Sequence, residues 1–137
     1  MKVFIDTNIL IDLLGDRKPY SKFAIEIFKA AEQKKIELYV TANSLATTHY
    51  LLKKYIDEKQ LRQILEGLLE YLNIVPIDEN TFRKGLKSRH KDFEDALQMV
   101  AASGIPGISC IVTRNLKDFK HSEVEVMSPD EFVKKLK

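Results

Sequence analysis

The chain opens on an apolar run, Val3-Phe4-Ile5, that stops abruptly at a carboxylate, a hydroxyl and an amide, Asp6-Thr7-Asn8. A short run of this kind predicts a buried strand. In open α/β sheets, ligands bind just outside the carboxyl ends of strands, which is where Asp6 falls. A charged side chain at the end of a core strand is costly unless something pairs with it. The competing reading is a plain helix cap, with Asp6 or Asn8 capping a helix that starts near Ile9.

Further along, Ile9 to Leu14 reads as a short apolar helix stopped by Gly15, followed by the charged turn Asp16-Arg17-Lys18-Pro19. Helical period resumes at Tyr20, Ala24, Ile27, Phe28 and Ala31. Glu37 to Thr41 is a second strand, with Thr41 or Asn43 placed to cap a helix running from Ser44 to about Ile56. Leu61, Ile64, Leu65, Leu68, Leu69 and Leu72 form an amphipathic helical stripe. Ile74 to Ile77 is a third strand, and its Pro76 suggests a sheet edge. Asp78 caps a helix over 79–87, and a second helix follows from Lys91 to Ala102 with Asp92, Glu94 and Asp95 in its first turn. Ile108 to Thr113 is the fourth and most apolar strand, and Val124 to Met127 a short last one. Ser128-Pro129-Asp130-Glu131 reads as a capping box opening the C-terminal helix.

Strands alternating with helices predict an α/β three-layer sandwich: a mainly parallel sheet of four to five strands flanked by helices. The 137 residues fit one domain, 1–137, with 45% hydrophobic and 31% charged residues. No apolar run has the length of a signal peptide core or a membrane span, so a cytoplasmic protein with no membrane partner is expected. Cys110 is the sole cysteine and sits in an apolar strand, which favours a buried inert thiol over a nucleophile.

Three acid-bearing ends then share a geometry: Asp6 after the first strand, Asp118 with Asn115 after the fourth, and Asp92, Glu94 and Asp95 at a helix start. Two full charges about 4 Å apart cost roughly 4 kcal/mol at an effective dielectric of 20. Such a cluster persists only if protons or a cation neutralise it. Oxygen donors without His or Cys select Mg²⁺ or Mn²⁺, which suit phosphoryl chemistry. Bland alternatives stand beside this: Asp92 as a helix cap, Glu94 as a solvated first-turn acid, Asp118 as a loop stabiliser. Asp95, among Phe93, Ala96, Leu97 and Met99, is the least compatible with simple exposure.

The net charge of +2 conceals an uneven layout. Arg83, Lys84, Lys87, Arg89 and Lys91, with His90, fall in an acid-free stretch that ends at the acidic helix start. Arg17, Lys18, Arg114, Lys117 and Lys120 lie in loops near the other two acid sites. Cations flanking a metal centre are what a phosphate backbone needs, so RNA or DNA is favoured over a small phosphate ester.

Together, Asp6-Thr7-Asn8 after a strand, Glu94-Asp95-Ala96-Leu97 on a central helix, Thr113-Arg114-Asn115-Leu116-Lys117-Asp118-Phe119 and the Ser128-Pro129-Asp130-Glu131-Phe132 tail resemble the PIN domain, over essentially the whole chain. The similarity is to the branch related to VapC-like toxins. It implies a Mg²⁺- or Mn²⁺-dependent endoribonuclease, the toxin of a toxin–antitoxin pair, forming a homodimer and inhibited by a small antitoxin. It places Asp6, Asp95 and Asp118 as catalytic metal ligands, with Glu94 as an added ligand. Thr7, Asn8, Ser44, Thr113 and Asn115 would orient carboxylates or phosphate, and Arg83, Lys84, Lys87, Arg89, Lys91 and Arg114 would bind RNA. The expected reaction is in-line attack of water on a phosphodiester, leaving a 5′-phosphate and a 3′-hydroxyl.

Two positions depart from the family pattern. Where that pattern supplies a Glu after Ser/Thr-Leu-Ala, this chain has Thr47, and Asn115 stands for the usual Asp of the Thr-Arg-Asp loop. A catalytically weak or inactive PIN module that binds RNA or a protein partner is therefore the alternative. A phospho-acceptor receiver or aspartyl phosphotransferase ranks lower, since Asn8 stands where the latter wants its second Asp. His49, alone on an apolar helix, reads as structural.

Overall fold

Val3, Phe4 and Ile5 are apolar in succession because both faces of their strand are covered. Val3 and Ile5 pack with Ile9, Leu10, Ile27 and Phe132 on one side, while Phe4 packs with Met99, Ala102, Ile111 and Phe119 on the other. That double burial is what makes a parallel strand read as a continuous apolar run. The computed structural model describes Met1–Lys137. Its strands are β1 (Lys2–Ile5), β2 (Glu37–Thr41), β3 (Leu72–Val75), β4 (Ile108–Val112) and β5 (Val126–Met127). They form one sheet in the order β3-β2-β1-β4-β5, and every pairing is parallel.

The helices are α1 (Thr7–Leu14), α2 (Ser21–Glu32), α3 (Ala42–Leu52), α4 (Glu58–Leu68), α5 (Glu79–Lys87), α6 (Phe93–Ser103) and α7 (Pro129–Leu136), with a 3₁₀ turn over Leu116–Phe119. The chain builds outward from β1 to β2 and β3, then crosses back to lay β4 and β5 on the other side. The direction reverses between β1 and β4, so the crevice of the sheet opens where these two strands end, at Asp6 and Thr113.

The element boundaries shift where local chemistry outweighs periodicity. Asp6 caps α1 itself and accepts from Thr7 N, so that helix begins ahead of the expected Ile9. Thr41, rather than Asn43, caps α3, which stops at Leu52 instead of continuing to Ile56. Leu72 leaves the α4 stripe and pairs with Leu38 as the first residue of β3. β3 lies at the sheet edge and ends before Pro76, as a missing backbone donor requires. β5 is confined to Val126–Met127. Asp78 and Asp92 cap α5 and α6, and the Ser128–Glu131 capping box with Pro129 opens α7. No helix is long and apolar enough to cross a membrane. Burial pushes the Cys110 thiol up to about 11, as an inert core cysteine should be.

One ion pair ties the crevice together. Asp12 lies on α1 and is 1% exposed. Arg114, just past β4, donates to it from Nε at 2.6 Å and Nη2 at 3.1 Å. The guanidinium also sits 4.1 Å from the centre of the Tyr20 ring. A fork-shaped, always charged donor suits a buried carboxylate and an aromatic face at once.

Arg114→Ala would strand the Asp12 charge, and breaking a buried pair from one side costs about 3–5 kcal/mol. Urea unfolding should show a loss of that order, with a much smaller one when both residues become apolar. A single-variant loss within about 1 kcal/mol, the range of surface pairs, would contradict the assignment.

Candidate metal centre

Asp6 stands at the centre of the crevice because β1 ends there and α1 starts there. Its carboxylate is 4% exposed and accepts four hydrogen bonds. On Oδ1 these come from Thr7 N at 2.6 Å and Gln98 Nε2 at 2.9 Å. On Oδ2 they come from Thr113 Oγ1 at 2.7 Å and Asn8 Nδ2 at 3.0 Å. Burial nevertheless pushes the Asp6 carboxyl above the ordinary carboxylate range, against the bonds from Thr113, Gln98 and Thr7 and the charge of Arg114. The desolvation of a charge at the sheet crevice outweighs four good donors.

α6 brings the second acid group to the same edge. Asp92 caps it by accepting from Asp95 N at 2.9 Å, which resolves Asp92 as a cap. Asp95 follows in the first turn, half-buried, with its carboxyl pushed up to about 7. Burial is the largest cause, followed by the charges of Asp6, Asp92, Asp118 and Glu94. Mutual repulsion of this kind marks where acids from three separate stretches face one another. Asp118 lies in the exposed 3₁₀ turn and joins this field by charge, with no hydrogen bond from its side chain to the others.

Glu94 is neither solvated nor free. Its Oε1 accepts from Thr7 Oγ1 at 3.0 Å and its Oε2 from Thr47 Oγ1 at 3.3 Å. The carboxylate thus occupies the space in front of the α3 position where the sequence has a neutral hydroxyl. Behind it runs a buried hydroxyl chain. Ser44 Oγ lies 2.8 Å from Thr7 Oγ1, 3.1 Å from Thr41 Oγ1 and 3.4 Å from Gln98 Oε1. Every buried side-chain nitrogen and oxygen has a partner.

Among the orienting residues expected from the sequence, Thr7, Asn8, Ser44 and Thr113 are therefore gathered around Asp6 and Glu94. Asn115 takes part through its backbone, donating from N to Thr113 Oγ1 at 3.0 Å, while its side chain is exposed and makes no hydrogen bond. Arg114 spends its guanidinium on Asp12, so it is not one of the free cations. Arg83 pairs with Glu79 on the surface of α5. Lys84, Lys87, Arg89 and Lys91 are exposed and enter no ion pair. His49 pairs with Glu58 away from the crevice.

Two functional-looking residues escape sequence reasoning. Gln98 carries no motif; its only signal is a polar residue inside the apolar stretch Ala96 to Ala102, one helical turn after Glu94. Asp12 is likewise a lone acid in an apolar helix. The donor set is all oxygen, with no histidine or cysteine at the crevice, and so fits a hard divalent cation. As the side chains stand, no three acids come close enough together to hold one.

Comparison with known proteins places the chain in a family. The family model described as "PIN domain" matches residues 2–117. Ribonuclease VapC1 of Aquifex aeolicus is 28% identical over 136 residues, covering 96% of this chain and 92% of that protein. A toxin–antitoxin complex from Klebsiella pneumoniae contains a chain similar at a TM-score of 0.67 and 25% identity, with 93% of this chain and 97% of that one covered. VapBC-1 from nontypeable Haemophilus influenzae shares the fold at a TM-score of 0.69 and 19% identity, covering 95% of this chain and 99% of that one.

The raised Asp95 carboxyl has a sign that can be checked in metal-free protein. Folded Asp95 holds its proton up to about 7, whereas an unfolded aspartate releases it near 3.9. Between those values the native state binds more protons than the unfolded one, so stability falls as pH rises. Asp95→Asn should flatten the decline in Tm between about pH 4 and 7. An unchanged pH profile in the variant would refute the clustered-acid picture.

Proposed function

Because the chain belongs to the PIN domain family, we propose that it is a divalent-metal-dependent endoribonuclease, acting as the toxin of a toxin–antitoxin pair. The observation that carries the reading is the acid arrangement at the reversal point of the sheet, where Asp6 is buried under four hydrogen bonds, Glu94 is held by Thr7 and Thr47, and the charges of Asp6 and Glu94 bear on Asp95. Support comes from one relative named as a ribonuclease and another that belongs to a toxin–antitoxin complex. Asp6 and Asp95 would hold the cation, Mg²⁺ or Mn²⁺, with Asp118 of the 3₁₀ turn as the further carboxylate. The bound cation would neutralise the acids and activate water for in-line attack on the phosphodiester. Lys84, Lys87, Arg89 and Lys91, unpaired on α5 and the connector before α6, hold the RNA backbone. A small antitoxin protein and a second copy of the chain are the partners that go with this role.

In this reading Glu94 supplies the carboxylate that α3 does not. Both of its oxygens are held, one by Thr7 and the other by Thr47. The neutral residue at 47 is thus the donor that positions an acid from α6.

Asp6→Asn and Asp95→Asn should each abolish Mn²⁺-dependent cleavage of a mixed RNA pool while leaving the circular dichroism spectrum intact. Full cleavage by both would overturn the nuclease reading. RNA binding by the wild-type chain with no Mn²⁺ binding in calorimetry would point instead to a non-catalytic PIN module. The substitution Glu94→Ala should weaken Mn²⁺ binding in calorimetry, because affinity for a hard cation follows the number of charged oxygen ligands. Adding Thr47→Glu in the same chain should recover most of it. If Glu94→Ala binds Mn²⁺ like wild type, Glu94 is not a ligand.

A further inference from the structure

A carboxylate offers about four lone-pair positions in its plane, and four donors already fill those of Asp6. A cation can reach Asp6 only if one donor gives way. Thr7 N cannot, because it is fixed by the start of α1. Thr113 is wholly buried, and its Oγ1 is pinned in turn by Asn115 N. That leaves the two side-chain amides, one on each oxygen, and their settings are opposite.

Gln98 is 1% exposed. Its Nε2 donates to Asp6 Oδ1 at 2.9 Å, and its Oε1 accepts a longer contact from Ser44 Oγ at 3.4 Å, so out of reach of water the NH₂ end is committed to Asp6. Asn8 is half-buried. Its Nδ2 divides between Asp6 Oδ2 at 3.0 Å and Thr113 Oγ1 at 3.4 Å, and its Oδ1 meets Arg114 N only at 3.5 Å. A buried amide costs free energy unless both ends are satisfied, and no apolar neighbour requires one at position 98.

We propose that Gln98 is a positioning residue whose buried amide locks the Asp6 carboxylate in place, while the Asn8 amide is the exchangeable donor that yields when a divalent cation binds. This rests on the metal-dependent reading above. If Gln98 is replaced by an apolar residue, Oδ1 keeps only the bond from Thr7 N and faces a position closed to solvent, so the carboxylate is held less firmly. Loss of the Asn8 amide leaves a gap open to solvent, which water or the cation itself can fill. The two amides therefore act on metal affinity in opposite senses.

The experiment follows the side-chain NH₂ resonances of Gln98 and Asn8 in the ¹⁵N-labelled full chain, first without metal and then through a Mg²⁺ titration. Gln98 should exchange slowly with water and keep its position, while Asn8 exchanges fast and shifts. Equal exchange rates, or joint movement of both signals, would overturn the proposal. In parallel, Q98M should weaken Mn²⁺ binding about 10- to 100-fold, as loss of a partner behind a ligand does, and N8A should bind Mn²⁺ as well as wild type or better. A Q98M chain that melts earlier yet binds Mn²⁺ normally would reduce Gln98 to a purely structural role and sink the idea. Should the wild-type chain bind no Mn²⁺, the metal reading and the yielding of Asn8 fall together. The metal-free exchange rates would still decide whether Gln98 holds Asp6.

Discussion

The charge of Asp6, taken out of water where β1 meets α1, is the constraint around which the crevice is built. Desolvating a carboxylate costs several kcal/mol unless donors surround it. Here the four donors come from three parts of the chain: the Thr7 backbone and the Asn8 side chain at the start of α1, Gln98 on α6 and Thr113 after β4. Holding them together requires β1 and β4 side by side and α6 starting at the same edge. The parallel order β3-β2-β1-β4-β5 provides both, and the Asp12–Arg114 pair clamps α1 to the loop that carries Thr113. The site and the reversal point of the sheet are in that sense one feature.

A site that tolerates Asp6 has further consequences for its neighbours. Asp95, desolvated by burial and then facing the charge of Asp6, has its carboxyl pushed up to about 7. Glu94, one residue earlier, is turned toward Thr7 and Thr47, so the first turn of α6 sends three successive acidic roles in different directions: a cap, a held carboxylate and a protonatable one. Local geometry makes this possible: Asp92 is the extended cap outside the helix, while Glu94 and Asp95 project about 100° apart around its axis. What a cation would add is the neutralisation that hydrogen bonds alone leave incomplete.

Much of the architecture was legible in the sequence because it rests on local signals. Buried parallel strands read as apolar runs, and the caps at Thr41, Asp78, Asp92 and Ser128 are single-residue decisions. The misplacements, α3 carried to Ile56 and Leu72 counted with α4, occur where an apolar residue serves a helix and a strand equally well. In the site, Asp6, Glu94 and Asp95 stood out as acids at element ends. Gln98 and Asp12 did not, since a single polar residue in an apolar stretch gains its meaning only from a partner about a hundred residues away. Thr47 read as a deficit for the same reason: its partner, Glu94, is supplied by another helix.

A cation held where β1 ends and α6 starts would be what unites these acids. Crystals grown with Mn²⁺ and measured near the manganese absorption edge would test this directly. The predicted result is one anomalous peak bounded by Asp6, Glu94 and Asp95, with the Asn8 amide moved off Asp6 and the Gln98 amide still on it. A map with no peak at the crevice, in protein that still cuts RNA with Mn²⁺, would contradict the account.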